Sequence, residues 1–296
     1  MAAIRFGPWQ VLAAEGGGTV ALAGERLAAC GQAHLVVWQG LLRLGAADAP
    51  WPAPGRPRFA GERVCWGPGV LDLARGTYAP LYAAEPELRP GGGERPCVHA
   101  WSAHGERLLV GYATGDAQAP ARLVLFDGGR GEPLATLRHP AEFPPQAAWV
   151  GRTALVVGFG DPRAFAADTG AECACIALGA GTVTRLDADA AERRLLAVDL
   201  NRCVAWIDPH AWQLVDRWEG RWLDAAIAPD GRHAVALDLA GGLHLARLAA
   251  GRFEPLGAAA APPFVATSVA LDDTAIALAG GGLAARAGYV IKEPSA

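Results

Sequence analysis

The chain has 296 residues, of which 52% are hydrophobic and 19% charged, with a formal net charge of −4 and a sequence pI near 6.0. That composition supports a sizeable core, excludes a disordered chain and supplies no global attraction for phosphate backbones or anionic lipid, so neither nucleic acid nor a membrane is an expected partner. The first ten residues lack the basic flank and apolar run of a secretory signal, and no later apolar stretch is long enough to cross a bilayer, so the expected compartment is the cytoplasm. Six cysteines (Cys30, Cys65, Cys97, Cys173, Cys175 and Cys203) suit that compartment as reduced, mostly buried thiols within apolar strand patterns, and no disulfide is expected.

In chain order, the first alternating segment, Ile4 to Ala14, precedes any complete set of strands. A full set follows at Thr19 to Ala23, Arg26 to Cys30, His34 to Gln39 and Leu41 to Leu44. The second unit ends with Val70 to Asp72, a turn through Gly76, and Tyr78 to Ala83. A Pro/Gly-rich connector, Glu85 to Pro96, opposes both helix and sheet and reads as a lengthened surface loop. The third unit has Val98 to Ser102, Arg107 to Tyr112, Arg122 to Asp127 and Pro133 to Leu137. The fourth has Ala147 to Val150, Ala154 to Phe159, Arg163 to Asp168 and Glu172 to Leu178. Leu195 to Asp199, Cys203 to Asp208 and Trp212 to Trp218 mark the fifth; Leu223 to Ala228, Ala234 to Asp238, Leu243 to Leu248 and Phe253 to Leu256 mark the sixth. The last unit shows Val269 to Asp272, Ala275 to Ala279 and Leu283 to Arg286 but only a weak fourth strand. Ile4 to Leu12 is therefore expected to complete it, pairing the two chain ends and removing an open sheet edge.

Two sets of landmarks fix the period. Seven short apolar runs end in Gly or Asp, at Gly31, Gly67, Gly111, Gly158, Asp199, Asp238 and Gly280, and the positions Asp127, Asp168, Asp208 and Leu248 recur in parallel. Both series step by about 40 residues, the repeat of a toroid of four-stranded sheets. The reading is all-β, a seven-bladed β-propeller of antiparallel blades forming one domain over 1–296. Its blades lie near 15–45, 51–84, 97–138, 146–178, 182–218, 222–256, and 265–291 plus 4–12. Gly at a run end permits a sharp turn at positive φ, and Asp tolerates one better than most residues. The Asp before each third-to-fourth turn suits an Asx turn.

No catalytic constellation is visible. Cys173 and Cys175 share a strand face but have no His at ligand spacing, and they read as buried thiols. His99 and His104 read as a strand residue and a turn residue. Only Ser102, Ser268 and Ser295 exist, none in a nucleophile elbow, and the Gly runs lack a following Lys-Ser/Thr. Asp272 and Asp273 read as a solvated turn. No cofactor, metal or quinone is expected. Among the ten tryptophans, Trp101, Trp149 and Trp206 sit in strands as blade packing, whereas Trp51, Trp212 and Trp222 lie near connectors, where either packing or partner anchoring is open.

At these residues the chain resembles WD-repeat and quinoprotein-like propellers. Trp206-Ile207-Asp208 and Leu125-Phe126-Asp127 resemble the Trp-Asp end of a WD blade, and Ala225 to Gly231 resembles the first hairpin common in such propellers. Ala167-Asp168-Thr169-Gly170 resembles the Asp-x-x-Thr-Gly turn of quinoprotein blades with one residue fewer, and the Gly-His that opens many WD blades is absent. A fainter resemblance is to the small bacterial propellers encoded with a MoxR-type AAA+ ATPase and a von Willebrand A-domain protein.

The resulting expectation is a non-catalytic, monomeric scaffold presenting a loop face to a partner protein, with the ATPase or the A-domain protein as the partner that the resemblance implies. A quinoprotein-like or other small-ligand-binding enzyme is the alternative. The expected partner face carries the blade-to-blade connectors and the loops between second and third strands, which in WD-like propellers emerge together. Arg89, Arg95, Phe143, Arg221, Trp222 and Phe264 are its candidate contacts, since Arg and aromatic residues concentrate interface energy.

Overall fold

The computed structural model describes residues 3–14, 18–31, 33–49, 55–81, 95–113, 121–139, 146–157, 161–179, 182–201, 203–259 and 264–292. It is an all-β ring of seven antiparallel blades. Blade one comprises Thr19–Ala23, Arg26–Cys30, His34–Gln39 and Leu42–Asp48; blade two comprises Arg58–Ala60, Arg63–Trp66, Gly69–Asp72 and Thr77–Pro80. Blade three runs from Arg95–Trp101 to Pro133–His139, blade four from Gln146–Val150 to Glu172–Cys175, blade five from Val183–Ala188 to Gln213–Trp218, and blade six from Trp222–Ile227 to Arg252–Ala259. In blades one to six the strands pair in sequence order, so the first strand is innermost and the fourth is the rim.

Blade seven closes the ring with both chain ends. Its Ser268–Leu271, Ala275–Gly280 and Leu283–Lys292 strands are completed by Ala3–Phe6, paired with Tyr289 to Lys292, and by Gln10–Ala13, paired with Leu283 to Arg286. The two short strands act as one rim strand interrupted at Gly7 to Trp9, where Gly7 N–H still reaches the Gly288 carbonyl at 2.8 Å. The third strand is longer than the sequence pattern implied, ten residues, because the N-terminal segment supplies a partner along its length.

The second strand of a blade reads as a continuous apolar run because both of its faces are buried. In Leu195–Asp199 all five residues are buried. Leu195 and Ala197 pack toward blade four, whereas Leu196 and Val198 pack toward blade six. This period-2 division recurs around the ring, so each of seven apolar clusters lies between two neighbouring blades. Two inner-strand tryptophans add a polar tie. Trp101 Nε1 donates to the Gly67 carbonyl of blade two at 2.9 Å, and Trp149 Nε1 donates to Ala100 of blade three at 2.8 Å. Trp206 is buried between blades five and six.

The expected Asx turns form at Asp127, whose Oδ1 accepts from Gly129 and Arg130 N–H at 2.9 Å, and at Asp208, which accepts from His210 at 2.8 Å. At blade four the hydroxyl of Thr169 takes this part, accepting from Ala171 N–H at 3.3 Å. The run-end glycines need a correction. Gly67 does adopt a positive φ of 53°, but Gly111 and Gly280 do not. There the requirement is space: a Cβ would meet Val98 Cγ1 at 2.6 Å from Gly111 and the Val265 carbonyl at 2.2 Å from Gly280. Gly158 lies outside the described residues.

Candidate functional site

The inner strands surround a central channel, and side chains from opposite sides of the ring meet inside it. Arg56, just before the inner strand of blade two, reaches across to blades five and six. Its side chain is 12% exposed, and the guanidinium pairs with the fully buried Asp224, lies 3.8 Å from Asp187, and donates to the Ala225 carbonyl at 3.3 Å. Arg58 donates to Asp187 Oδ1 at 3.0 Å. Burial works against the Arg56 charge, but Asp224 and Asp187 outweigh it and raise its pKa above the ordinary arginine value.

Both carboxylates are also held by backbone. Asp187 Oδ2 accepts from Ile227 N–H at 3.0 Å; Asp224 accepts from Ala225 N–H and Val269 N–H, each at 2.9 Å. The strut thus links the inner strands of blades five, six and seven to the entry of blade two. Isolated buried charges are costly, and these are compensated by pairing and hydrogen bonds on both carboxylates.

The strut divides the channel into two vestibules of about 340 and 300 Å³, which share Arg56 and Arg58. The larger opens on the face where inner strands begin, beside Thr19 and Gln146, which is also the face of second-strand ends such as Cys30. The smaller opens where inner strands end, among Gly24, Ala190, Pro229 and Asp272.

The sequence-based candidates fall unevenly on this frame. Arg89 and Phe143 lie outside the described residues, as do Trp51 and most of the Glu85 to Pro96 connector. Arg95 opens the inner strand of blade three, far around the ring from the others. Arg221 and Trp222 form the entry to blade six and Phe264 the entry to blade seven, so these three stand on adjacent blades. Arg221 is exposed. Trp222 is only 5% exposed, packed 4.8 Å from the Trp218 ring and 4.9 Å from His244, with Nε1 donating to the Trp218 carbonyl. Phe264 is half-buried against the cluster between blades six and seven, and Trp212 is half-buried against that between blades four and five.

Sequence reasoning missed the channel residues Arg56, Arg58, Arg185, Asp187 and Asp224, and also three exposed aliphatic side chains on the connector face. Leu200 and Leu239 directly follow the second strands of blades five and six and are 53% and 51% exposed; Val265, entering blade seven, is 82% exposed. Leu200 N–H bonds to the Thr182 carbonyl and Leu239 N–H to that of Arg221, which ties each second-strand end to the connector on the same side.

The cysteines require a second correction. Cys173 and Cys175 do share a strand face, but that strand is the rim of blade four and both side chains are exposed, because a rim strand has no further strand to cover it. Cys30, Cys65 and Cys203 are buried and Cys97 is half-buried. Burial pushes the Cys30, Cys65 and Cys97 thiols up to about 12, and burial together with Glu219 pushes Cys203 up to about 11. Since thiolate is the reactive form, Ellman's reagent at pH 8 should titrate two thiols quickly in the native protein and the other four only after unfolding. Replacing Cys173 and Cys175 by Ser should abolish the fast phase; a fast phase surviving that change would contradict this placement.

His99 is buried in its strand and His104 is exposed in its turn. Among the described residues no group of three or more His, Cys, Asp or Glu side chains is arranged to hold a metal ion, and no helix is long and apolar enough to cross a membrane. Neither a protein-family model nor a curated protein matches the chain.

Proposed function

We propose that this propeller is a non-catalytic scaffold that holds a partner protein on its connector face, over blades five to seven. The observation that carries the reading is the series Leu200, Leu239 and Val265, three exposed aliphatic side chains on one face, with exposed Arg221 among them. Scattered exposed leucines need no explanation, whereas apolar side chains repeated on one loop face of a rigid frame suit partner binding. Arg supplies the directional contact such a surface needs. The partner class follows the family resemblance: a MoxR-type ATPase or a von Willebrand A-domain protein.

Capture experiments from the native host, with bound proteins identified by mass spectrometry, test this. Leu239→Asp with Val265→Asp should reduce recovery of the ATPase or A-domain partner at least tenfold, with the melting temperature unchanged because both side chains are already exposed. Trp222 is left intact in this test, since truncating a buried tryptophan costs about 3–5 kcal/mol on its own. Undiminished recovery by a folded variant, or recovery of neither partner class by the wild type, would refute the corresponding part of the reading.

A further inference from the structure

The larger channel vestibule carries more positive charge than the fold consumes. Arg56, Arg58 and Arg185 all line it, and among the described lining residues there is no Asp or Glu. Asp187 and Asp224 neutralise two of these cations from the floor, leaving one net positive charge among the described residues. Arg185 is the unsatisfied member. Its Nη1 donates to the Thr184 carbonyl at 2.9 Å, but its buried Nε makes no hydrogen bond and stands 3.9 Å from Asp224 Oδ1. That Nε faces Asp224 out of reach of solvent, but the Arg185 side chain as a whole is 35% exposed, so its outer guanidinium N–H groups can donate to an anion in the vestibule.

The remaining wall is largely apolar, from Val98, Ala100, Trp101, Ala147, Ala148 and Leu186, with Thr19, His99 and Gln146 as polar members, and the volume of about 340 Å³ sits at the small end of the range for small-molecule sites, about 300–1,000 Å³. We infer that this vestibule is a binding site for the carboxylate of a small, partly apolar group, held by Arg185 with Arg56 and Arg58 beside it. One net positive charge matches a monoanion; a phosphate dianion would leave an uncompensated negative charge in a confined site. Planar carboxylate also fits the guanidinium fork. The group belongs either to a free organic acid or to a chain terminus inserted by a protein. The site does not depend on the scaffold reading, because it is built from inner-strand and channel residues and not from Leu239 or Val265.

Calorimetric titration with defined probes decides it. Phenylacetate should bind at least tenfold more tightly than phenylacetamide, and at least tenfold more tightly than inorganic phosphate. Arg185→Gln should lose at least tenfold in phenylacetate affinity with the far-UV circular dichroism preserved, and Arg185→Lys should recover part of that loss. A second arm uses acetyl-Gly-Phe with a free carboxylate against its C-terminal amide. Tighter binding of the peptide acid than of phenylacetate assigns the site to a chain terminus, and the reverse order assigns it to a free acid; both outcomes support a carboxylate site. Equal binding of acids and amides, no binding of either acid, phosphate outcompeting both acids, or a folded Arg185→Gln that binds phenylacetate like the wild type overturns it. If Arg185→Gln does not fold, the acid-against-amide comparison on the wild-type protein stands as the test.

Discussion

Deleting Met1 to Leu12 should lower the melting temperature by about 10 °C or more and make the protein aggregate. The segment supplies nearly the whole rim strand of blade seven, and its loss leaves Leu283–Lys292 as an unpaired edge next to an open seam in the ring. Ile4, Phe6 and Trp9 pack against the cluster between blades six and seven, and Leu12 against that between blades seven and one. Each is partly buried; at about half of the 1.5–3 kcal/mol for full burial, four such side chains contribute about 4 kcal/mol before any strand pairing is counted. For a chain this size each kcal/mol moves the midpoint by about 1.5–2 °C, and the lost strand pairing adds to the side-chain contribution. Differential scanning calorimetry with light scattering checks the result, and an unchanged, monomeric truncation would show that closure does not depend on this strand.

The strand positions were legible because of the way a propeller buries them. Each second strand feeds side chains alternately to two interblade clusters, so it must be apolar at every position, and such runs stand out against the half-polar rim strands, as at Leu195–Asp199 beside Gln213–Trp218. The end of Arg26–Cys30 and both ends of His34–Gln39 agree with the sequence reading to the residue. The inner strand of blade five, Val183–Ala188, was harder to read because Thr184, Arg185 and Asp187 interrupt its apolar pattern. Two of those interruptions, Arg185 and Asp187, are the channel chemistry. Arg56 and Asp224 are 168 residues apart in sequence, and Arg58 and Asp187 are 129 apart. Nothing local in the chain announces either pair. The one available signal was an acidic residue inside a buried inner strand, which requires a cationic partner somewhere. The exposure of Cys173 and Cys175 was illegible for the complementary reason: alternation tells which side chains share a face, but not that a fourth strand leaves that face uncovered.

Removing the Asp224 carboxylate should be the most damaging single change in the channel, with Asp224→Ala costing about 3–5 kcal/mol, the range for breaking a buried ion pair. The loss strands the guanidinium of Arg56, whose side chain is only 12% exposed, and deprives two buried backbone donors, Ala225 N–H and Val269 N–H, of their acceptor. Asp224→Asn is expected to be only partly better, because its NH2 group cannot accept at the position where Oδ2 now receives Val269 N–H. Arg56→Met should cost less than Asp224→Ala, since the remaining carboxylate keeps both backbone donors and has Arg185 Nε at 3.9 Å. Combining Arg56→Met with Asp224→Ala should then cost less than the sum of the two single changes, because no unpaired guanidinium is left behind. Urea unfolding of the three variants reads the cycle directly. The coupling should persist at 1 M salt, where an exposed pair would be screened. Additive costs, or an Asp224→Ala protein within 1 kcal/mol of wild type, would mean that the strut is solvated and that blades five to seven are held by their apolar clusters alone.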